Sequence, residues 1–128
     1  MLKSLTCAAL LLAASTGMAF ADGDAKAGAA VFKKCSACHT ATEAKNKVGP
    51  SLMGVVGRKV ASVDGFKYSE AMKIFGADGK VWDETHLTAY LSNPKAAIPK
   101  NKMAFAGLKK PEDILNLIAF LKDPAAAK

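Results

Sequence analysis

The five residues Cys35-Ser36-Ala37-Cys38-His39 constrain this chain more than any other feature of its sequence. They form a CxxCH sequence, which is the attachment signature of a c-type haem. Two thiols three residues apart lie on the same face of a helical turn, so each can add to one vinyl group of the porphyrin. The next residue, His39, is then delivered beneath the ring, where its imidazole can bind the iron as the proximal ligand.

Two other uses of a CxxC pair remain as alternatives. A thioredoxin-like redox dithiol opens a helix after a strand, whereas these cysteines follow a helical run from Ala25 to Lys34 and no strand pattern precedes them. A zinc site needs four ligands. Beyond residue 21 the only cysteines and histidines are Cys35, Cys38, His39 and His86, and no second paired motif accompanies them.

The first 21 residues are predicted to be a cleaved secretory signal peptide. Lys3 precedes an apolar stretch, and Ala19-Phe20-Ala21 places small residues where a signal peptidase requires them. An uncleaved membrane anchor is the alternative, although the apolar stretch is marginal in length for spanning a bilayer. A lipoprotein is disfavoured, because Cys7 lies before the apolar core. We therefore expect a periplasmic protein that consists of one domain, residues 22–128, with no stable membrane insertion after cleavage.

The composition fits a single basic globular domain. The chain has 128 residues, of which 51% are hydrophobic and 23% charged, and its formal net charge is +7. This balance argues against disorder and against a multi-span membrane protein. The positive charge indicates acidic partners. Nucleic acid is not expected among them, because the chain is predicted to be exported and carries no nucleic-acid-binding motif.

Hydrophobic periodicity predicts an all-α fold with unusually long loops. Four helical stretches are expected: about Ala25 to Lys34, a short turn after Ser69, about Asp83 to Asn93, and Pro111 to a point before Pro124. Loops at 40–67 and 95–110 separate them, and the tail 125–128 is expected to fray. Compact domains seldom tolerate such loops, but a flat apolar haem gives the loops something to pack against.

Three methionines follow the CxxCH motif, at Met53, Met72 and Met103. If the haem carries electrons, both axial positions of the iron need to be filled, so that no substrate reaches the metal. Each methionine could instead be core filler, which is the usual role of this residue. Chain reach does not discriminate among the three, since each loop is long enough to round a haem edge. Spacing alone leaves the choice open.

Beyond the CxxCH motif, a series of short segments follows in a fixed order. They are Gly28 and Phe32, VGPSL at 48–52, GRK at 57–59, GFKYS at 65–69, Trp82, YLSNP at 90–94, IPKNKMAFAG at 98–107 and LIAFL at 117–121. Together these segments resemble class I cytochrome c over residues 22–123. The predicted signal peptide makes the chain similar to the bacterial cytochrome c2 group. The resemblance implies the class I cytochrome c fold, in which N- and C-terminal helices cross and loops wrap around one covalently bound haem c.

The resemblance also implies roles for individual residues. Met103 would be the distal iron ligand, and Tyr90 would sit near its sulfur. The carbonyl of Pro50 would accept a hydrogen bond from the second imidazole nitrogen of His39 and fix the orientation of the ring. Three further side chains would donate hydrogen bonds to the haem propionates: Arg58, Tyr68 and Trp82.

Four other features carry expectations of their own. Gly28 would let the first helix cross the last closely, against Phe120. Met72 stands where mitochondrial relatives carry a polar residue near a propionate, so that contact is not expected, and the segment 74–79 looks slightly longer than theirs. His86 is expected to be an exposed helix residue, because Leu87, Tyr90 and Leu91 define the buried face.

The resemblance implies an electron-transfer protein rather than an enzyme. A soluble monomer would carry electrons from a cytochrome bc complex to a photosynthetic reaction centre or a terminal oxidase. Lysines matching those that face acidic redox partners in relatives are Lys34, Lys47, Lys95, Lys102, Lys109 and Lys110. Two other classes remain alternatives: a haem enzyme or gas sensor, if the sixth iron position is open, and a dithiol oxidoreductase, if no haem is attached.

Overall fold

The computed structural model describes residues 23–128, which form five α-helices and a terminal 3-10 turn. The helices are α1 (Ala25–Phe32), α2 (Glu70–Gly76), α3 (Glu84–Ser92), α4 (Pro94–Ala97) and α5 (Pro111–Lys122). In this part of the chain, extended pairing is limited to one isolated antiparallel bridge, between Lys59 and Val81. The all-α prediction is confirmed. The predicted signal segment, 1–21, lies outside the described residues.

Helices α1 and α5 form the most extensive helix pair in the domain. Their close approach depends on Gly28, the one buried residue of α1. A Cβ atom at this position would lie 1.9 Å from the carbonyl oxygen of Asn116 and 2.8 Å from Cβ of Phe120. The rings of Phe32 and Phe120 meet beside this contact, with centroids 5.2 Å apart. The predicted crossing of the first and last helices is therefore present.

The N-terminus of α1 is fixed by two side chains. The carboxylate of Asp24 accepts hydrogen bonds from the backbone of Lys26 and Ala27, which caps the helix. The backbone N–H of Asp24 in turn donates to Oδ1 of Asn116 at 2.8 Å. The cap of the first helix is thus tied directly to the last helix.

Proline positions set the boundaries of the later helices. Pro94 ends α3, as predicted, but it also begins α4, because a proline in the first turn lacks only a donor that would be unpaired there. Asn93 caps α4 by accepting a hydrogen bond from the backbone of Ala96. The segment 95–110, predicted to be a loop, therefore starts with the last three residues of a short helix. This element was missed because four residues are too few to show a hydrophobic period.

Helix α5 has the buried face that its sequence predicts, with Ile114, Leu117, Ile118 and Leu121 all buried. Pro111 occupies its first turn together with Glu112 and Asp113, whose negative charges favour a helix N-terminus. The chain then ends in the 3-10 turn Pro124–Ala127, where Ala127 packs against the core. The structure thus gives the tail one helical turn, which its sequence did not predict.

The long loops contribute side chains to the same core as the helices. Val55 and Val60 from the first loop are buried with Trp82 in the same core as α3 and α5.

Among residues 23–128, no helix combines the length and the apolar character needed to cross a bilayer.

Candidate haem site

A cavity of about 430 Å³ lies between the helices and the loops. Its wall is largely apolar and includes Leu52, Val55, Leu87, Leu117 and Leu121. These residues come from the first long loop, α3 and α5, so the cavity joins parts of the chain that are far apart in sequence. A flat apolar group can pack here, as the lengths of the loops predict.

Both cysteines of the CxxCH motif line this cavity. They lie on a helical turn that continues from α1, in which the backbone N–H of His39 donates to the carbonyl of Cys35 at 3.0 Å. Neither Cys35 nor Cys38 forms a disulfide. Burial raises the pKa of the Cys35 thiol, and the charge of Lys34 only partly opposes this. A dithiol oxidoreductase uses a thiol whose pKa is lowered, so this environment does not suit that alternative.

His39 lines the same cavity and is held by a hydrogen bond from its ring. Its Nδ1 lies 2.8 Å from the carbonyl oxygen of Pro50. Because that carbonyl can only accept, the proton is on Nδ1 and the lone pair of Nε2 is free to bind a metal. Burial lowers the pKa of the imidazole, although the bond to Pro50 opposes this, so the neutral form that binds metals is favoured.

Gly49 is buried directly against the His39 ring. A Cβ atom at this position would lie 2.2 Å from Cε1 of His39. Position 49 therefore has to be a glycine for the ring to reach Pro50. Sequence analysis missed this requirement, because no local pattern distinguishes this glycine from one that serves a turn.

Sequence spacing could not choose an iron ligand among the three methionines, and two of them line the cavity. They are Met72 and Met103, whereas Met53 is 46% exposed and does not contribute to the wall. The sulfur of Met103 lies 3.9 Å from the hydroxyl oxygen of Tyr90, which donates toward it. Met72 belongs to the first turn of α2, and its backbone N–H donates to the Ser69 cap.

The three residues assigned to the propionates also line the cavity. Arg58 donates from Nη1 to the carbonyls of Ser51 at 2.9 Å and Met53 at 3.1 Å. Its Nε is buried and has no hydrogen-bond partner in the described part of the chain. Tyr68 accepts a hydrogen bond from the backbone of Val63 at 3.1 Å, which leaves its own hydroxyl hydrogen free to donate. Trp82 is buried and lines the same cavity.

The predicted docking lysines separate into two groups. Lys34 and Lys102 line the cavity, and Lys47 donates from Nζ to the carbonyl of Ser36 at 2.7 Å, within the CxxCH motif. The other three, Lys95, Lys109 and Lys110, are exposed but do not line the cavity. Lys95 lies in α4, Lys109 donates to the carbonyl of Ala106, and Lys110 precedes α5.

His86 does not line the cavity. Its Nδ1 lies 3.0 Å from the carbonyl of Val81, and its ring meets that of Phe75 edge-on with centroids 5.8 Å apart. These contacts leave it half-buried, so it is less exposed than expected. Within residues 23–128, no group of three or more His, Cys, Asp or Glu side chains is placed to hold a metal ion. A zinc site made of the two cysteines and both histidines does not match this arrangement.

Asn101 is a polar residue of the site that sequence analysis overlooked. Its side chain forms hydrogen bonds with Pro94, Ile98, Met103 and Tyr90. The only feature that marks Asn101 in the sequence is its place in a Pro- and Lys-rich loop. Asparagine is common in turns of every kind, so this position alone does not indicate a role in the site.

The residues around the cavity fit a covalently bound haem. Two thiols, a neutral imidazole and a thioether provide the attachment points and the donors that such a group uses. The unpartnered Nε of Arg58 is a buried donor, which an anionic group such as a propionate would satisfy. An all-α domain with these donors around an apolar cavity defines a c-type cytochrome.

Comparisons with known proteins agree with this class. The family model described as Cytochrome c matches residues 25–124. Cytochrome c2 of Agrobacterium tumefaciens (strain II Chrys) is 51% identical over 108 residues, covering 84% of this chain and 97% of the relative. Cytochrome c2 of Afifella marina is 52% identical over 97 residues, covering 75% of this chain and 78% of the relative. The solved structure of cytochrome cH from Methylobacterium extorquens superposes with a TM-score of 0.71 at 42% identity, covering 78% of this chain and 98% of that one.

The chain belongs to the cytochrome c family, as a class I c-type cytochrome of the c2 group. It is an electron-transfer protein rather than an enzyme, and it carries one covalently attached haem c. The predicted family, fold class and cofactor are thus confirmed.

Proposed function

We propose that this cytochrome is an exported, monomeric one-electron carrier whose haem is attached through Cys35 and Cys38 and ligated by His39 and Met103. It would take electrons from a cytochrome bc complex and deliver them to a photosynthetic reaction centre or a terminal oxidase. The bound haem supplies a one-electron Fe(II)/Fe(III) couple, and a thioether ligand favours the reduced iron and therefore a high potential.

The observation that carries this proposal is the hydrogen bond from His39 to Pro50. It fixes the tautomer and the orientation of the imidazole at the wall where both cysteines lie. The protein thus presents a preformed nitrogen donor next to the two attachment points.

Met103 is the proposed second ligand because the residue lines the cavity and its sulfur already has a polar neighbour in Tyr90. A filled sixth position keeps substrates from the metal, which suits a carrier. A haem enzyme or gas sensor needs an open position and distal acid–base groups. His86, the only other histidine among residues 23–128, is engaged with Val81 and Phe75 instead.

Around the propionates, we propose that Arg58, Tyr68 and Trp82 donate hydrogen bonds. Buried charge is costly unless it is paired, and these three side chains line one cavity with a donor to spare on Arg58 and on Tyr68.

Export follows from the segment 1–21, which has the features of a signal peptide. We propose cleavage after Ala21 and release of the domain into the periplasm. The relatives named cytochrome c2 are bacterial proteins, which is compatible with this compartment. The mass of the protein recovered from the periplasmic fraction tests the cleavage site directly.

For docking, we propose that the lysines nearest the cavity attract acidic redox partners. Lys34 and Lys102 lie on its wall, and Lys47 contacts the CxxCH turn. A ring of charge accelerates encounter by roughly 10- to 1,000-fold at low salt. The partner interface is expected to be small and transient, because a carrier must also dissociate.

The test of the ligand set is the absorption spectrum of the oxidised protein. We expect a low-spin haem with a sulfur-to-iron charge-transfer band. Substitution Met103→Ala should abolish the band, whereas Met72→Ala, at the other methionine on the cavity wall, should retain it. A high-spin native protein, or loss of the band only in Met72→Ala, would contradict the proposed ligation.

A further inference from the structure

The carboxamide of Asn101 uses all of its polar atoms, on the segment that carries Met103 and on Tyr90 of α3. Its Nδ2 donates to the carbonyl of Pro94 at 2.9 Å and to that of Ile98 at 2.8 Å. Its Oδ1 accepts the backbone N–H of Met103 at 2.8 Å and the hydroxyl of Tyr90 at 3.4 Å. One half-buried side chain therefore connects helix α4, the turn after it, the backbone of Met103 and a residue of α3.

The turn that precedes Met103 contains an unfavourable backbone conformation. Lys100 has a φ of +66°, in the left-handed region that side chains other than glycine disfavour. The backbone N–H of Asn101 closes the turn onto the carbonyl of Ile98 at 3.2 Å. Pro99 suits its place in this turn, whereas the exposed Lys100 does not. One side-chain donor of Asn101 adds a second hydrogen bond to the carbonyl of Ile98 and so reinforces the turn.

The contact between Tyr90 and the sulfur of Met103 is too weak to position this segment alone. The two atoms are 3.9 Å apart, and a thioether is a poor acceptor. The hydroxyl hydrogen of Tyr90 is also shared with Oδ1 of Asn101. By contrast, the bond from the Met103 backbone to Asn101 is short and involves two strong groups.

We propose that Asn101 is a positioning residue for Met103, which fixes the backbone of Met103 relative to α4 and Tyr90. This inference rests on the proposed role of Met103 as an iron ligand. Asparagine suits the position because it offers two donors and an acceptor on a short side chain. Aspartate would keep the acceptor but would place a carboxylate against the carbonyls of Pro94 and Ile98, and serine would offer a single donor.

The first experiment compares two melting temperatures in the holoprotein. One is the temperature at which the sulfur-to-iron band disappears, and the other is that of global unfolding followed by far-UV circular dichroism. In Asn101→Ala and Asn101→Asp, we expect the band to disappear well below global unfolding and below its wild-type temperature. The matched control is Asn116→Ala, which removes one amide–backbone bond, to Asp24, at the α1–α5 contact. In that variant the two temperatures should fall together.

The second experiment is hydrogen exchange by NMR on the reduced holoprotein. The amide of Met103 has a side-chain acceptor, whereas within residues 23–128 the amides of Lys102 and Ala104 have no hydrogen bond. In the wild type, Met103 should exchange more slowly than these neighbours. In Asn101→Ala, its exchange should become about tenfold faster, as loss of one hydrogen bond predicts.

The outcomes separate this inference from the proposed function. A wild-type protein without the sulfur-to-iron band would show that Met103 is not the ligand, and the proposed function would fail. A wild-type band together with Asn101 variants that lose it only at global unfolding would overturn the positioning role alone. Equal amide exchange rates of Met103 and Ala104 in the wild type would also overturn the positioning role of Asn101, before any variant is made.

Discussion

The imidazole of His39 is held against the carbonyl of Pro50 at 2.8 Å, and Gly49 is what allows the ring to lie there. The proton on Nδ1 and the free lone pair on Nε2 both follow from this single contact. The orientation of the proposed proximal ligand, His39, therefore depends on the absence of a side chain at Gly49, the residue before Pro50.

Substitution Gly49→Ala is expected to displace the His39 ring, because the new Cβ would lie 2.2 Å from Cε1. Overpacking of this kind costs about 1–3 kcal/mol of unfolding free energy, and here it should also alter the low-spin spectrum. The control is Gly54→Ala. Its Cβ would meet nothing within 4 Å, but its φ is +67°, so it should lose stability through backbone strain without spectral change. Unchanged spectra in both variants would argue against the role of Gly49.

Substitution Gly28→Ala is expected to separate α1 from α5. The added Cβ would lie 1.9 Å from a backbone oxygen of Asn116, which cannot move aside cheaply. We expect a loss of about 1–3 kcal/mol or more in guanidinium unfolding. At the exposed neighbouring position, Ala27→Gly should cost about 1 kcal/mol, through helix propensity alone. A Gly28→Ala protein as stable as the wild type would contradict the close crossing.

Tyr90 should ionise at a higher pH than an ordinary phenol. Burial raises its pKa from 10.0 to about 12, so the folded protein favours the protonated form. The corresponding contribution to the free energy of unfolding is complete below pH 10 and is lost as the pH rises toward about 12. Ring carbon-13 NMR of the reduced protein can follow this titration. The chain has two tyrosines, so Tyr90→Phe should remove the late titration and Tyr68→Phe should leave it. An ordinary pKa for Tyr90 would contradict this prediction.

Charge reversal beside the cavity should slow electron transfer to an acidic partner. In Lys102→Glu, we expect second-order rates with isolated membranes to fall severalfold at low salt and to approach the wild-type rates at high salt. Lys26→Glu, on the exposed surface of α1, changes the net charge equally but lies away from the cavity wall. Its rates should change much less. Equal effects of the two substitutions would indicate net charge rather than a local docking surface.

Much of the fold could be predicted because the informative signals were local. The CxxCH turn, the proline at the start of α5 and the apolar face of that helix all follow from spacing over a few residues. Helix α4 could not be predicted in this way, since it lasts four residues and is stabilised by the Asn93 cap and the Asn101 contact to Pro94.

The residues of the site also fall into those that local spacing predicts and those that depend on tertiary packing. Cys35, Cys38 and His39 were assigned from their spacing, whereas spacing alone could not choose among three methionines. The cavity reduces that choice to Met72 and Met103, which depends on how loops distant in sequence pack together. Gly49 and Asn101 were missed for the same reason, because their partners are defined only after the chain has folded.

The pairing of α1 with α5 also bears on when the domain can fold. The hydrogen bond between Asp24 and Asn116 joins residues 92 positions apart, close to the full length of the described chain. During synthesis, the first helix has no surface to dock on until the ribosome has made the last one, and contacts of such high sequence separation form slowly. An unfinished polypeptide therefore cannot form the α1–α5 pair, so the domain can close only after synthesis has reached α5.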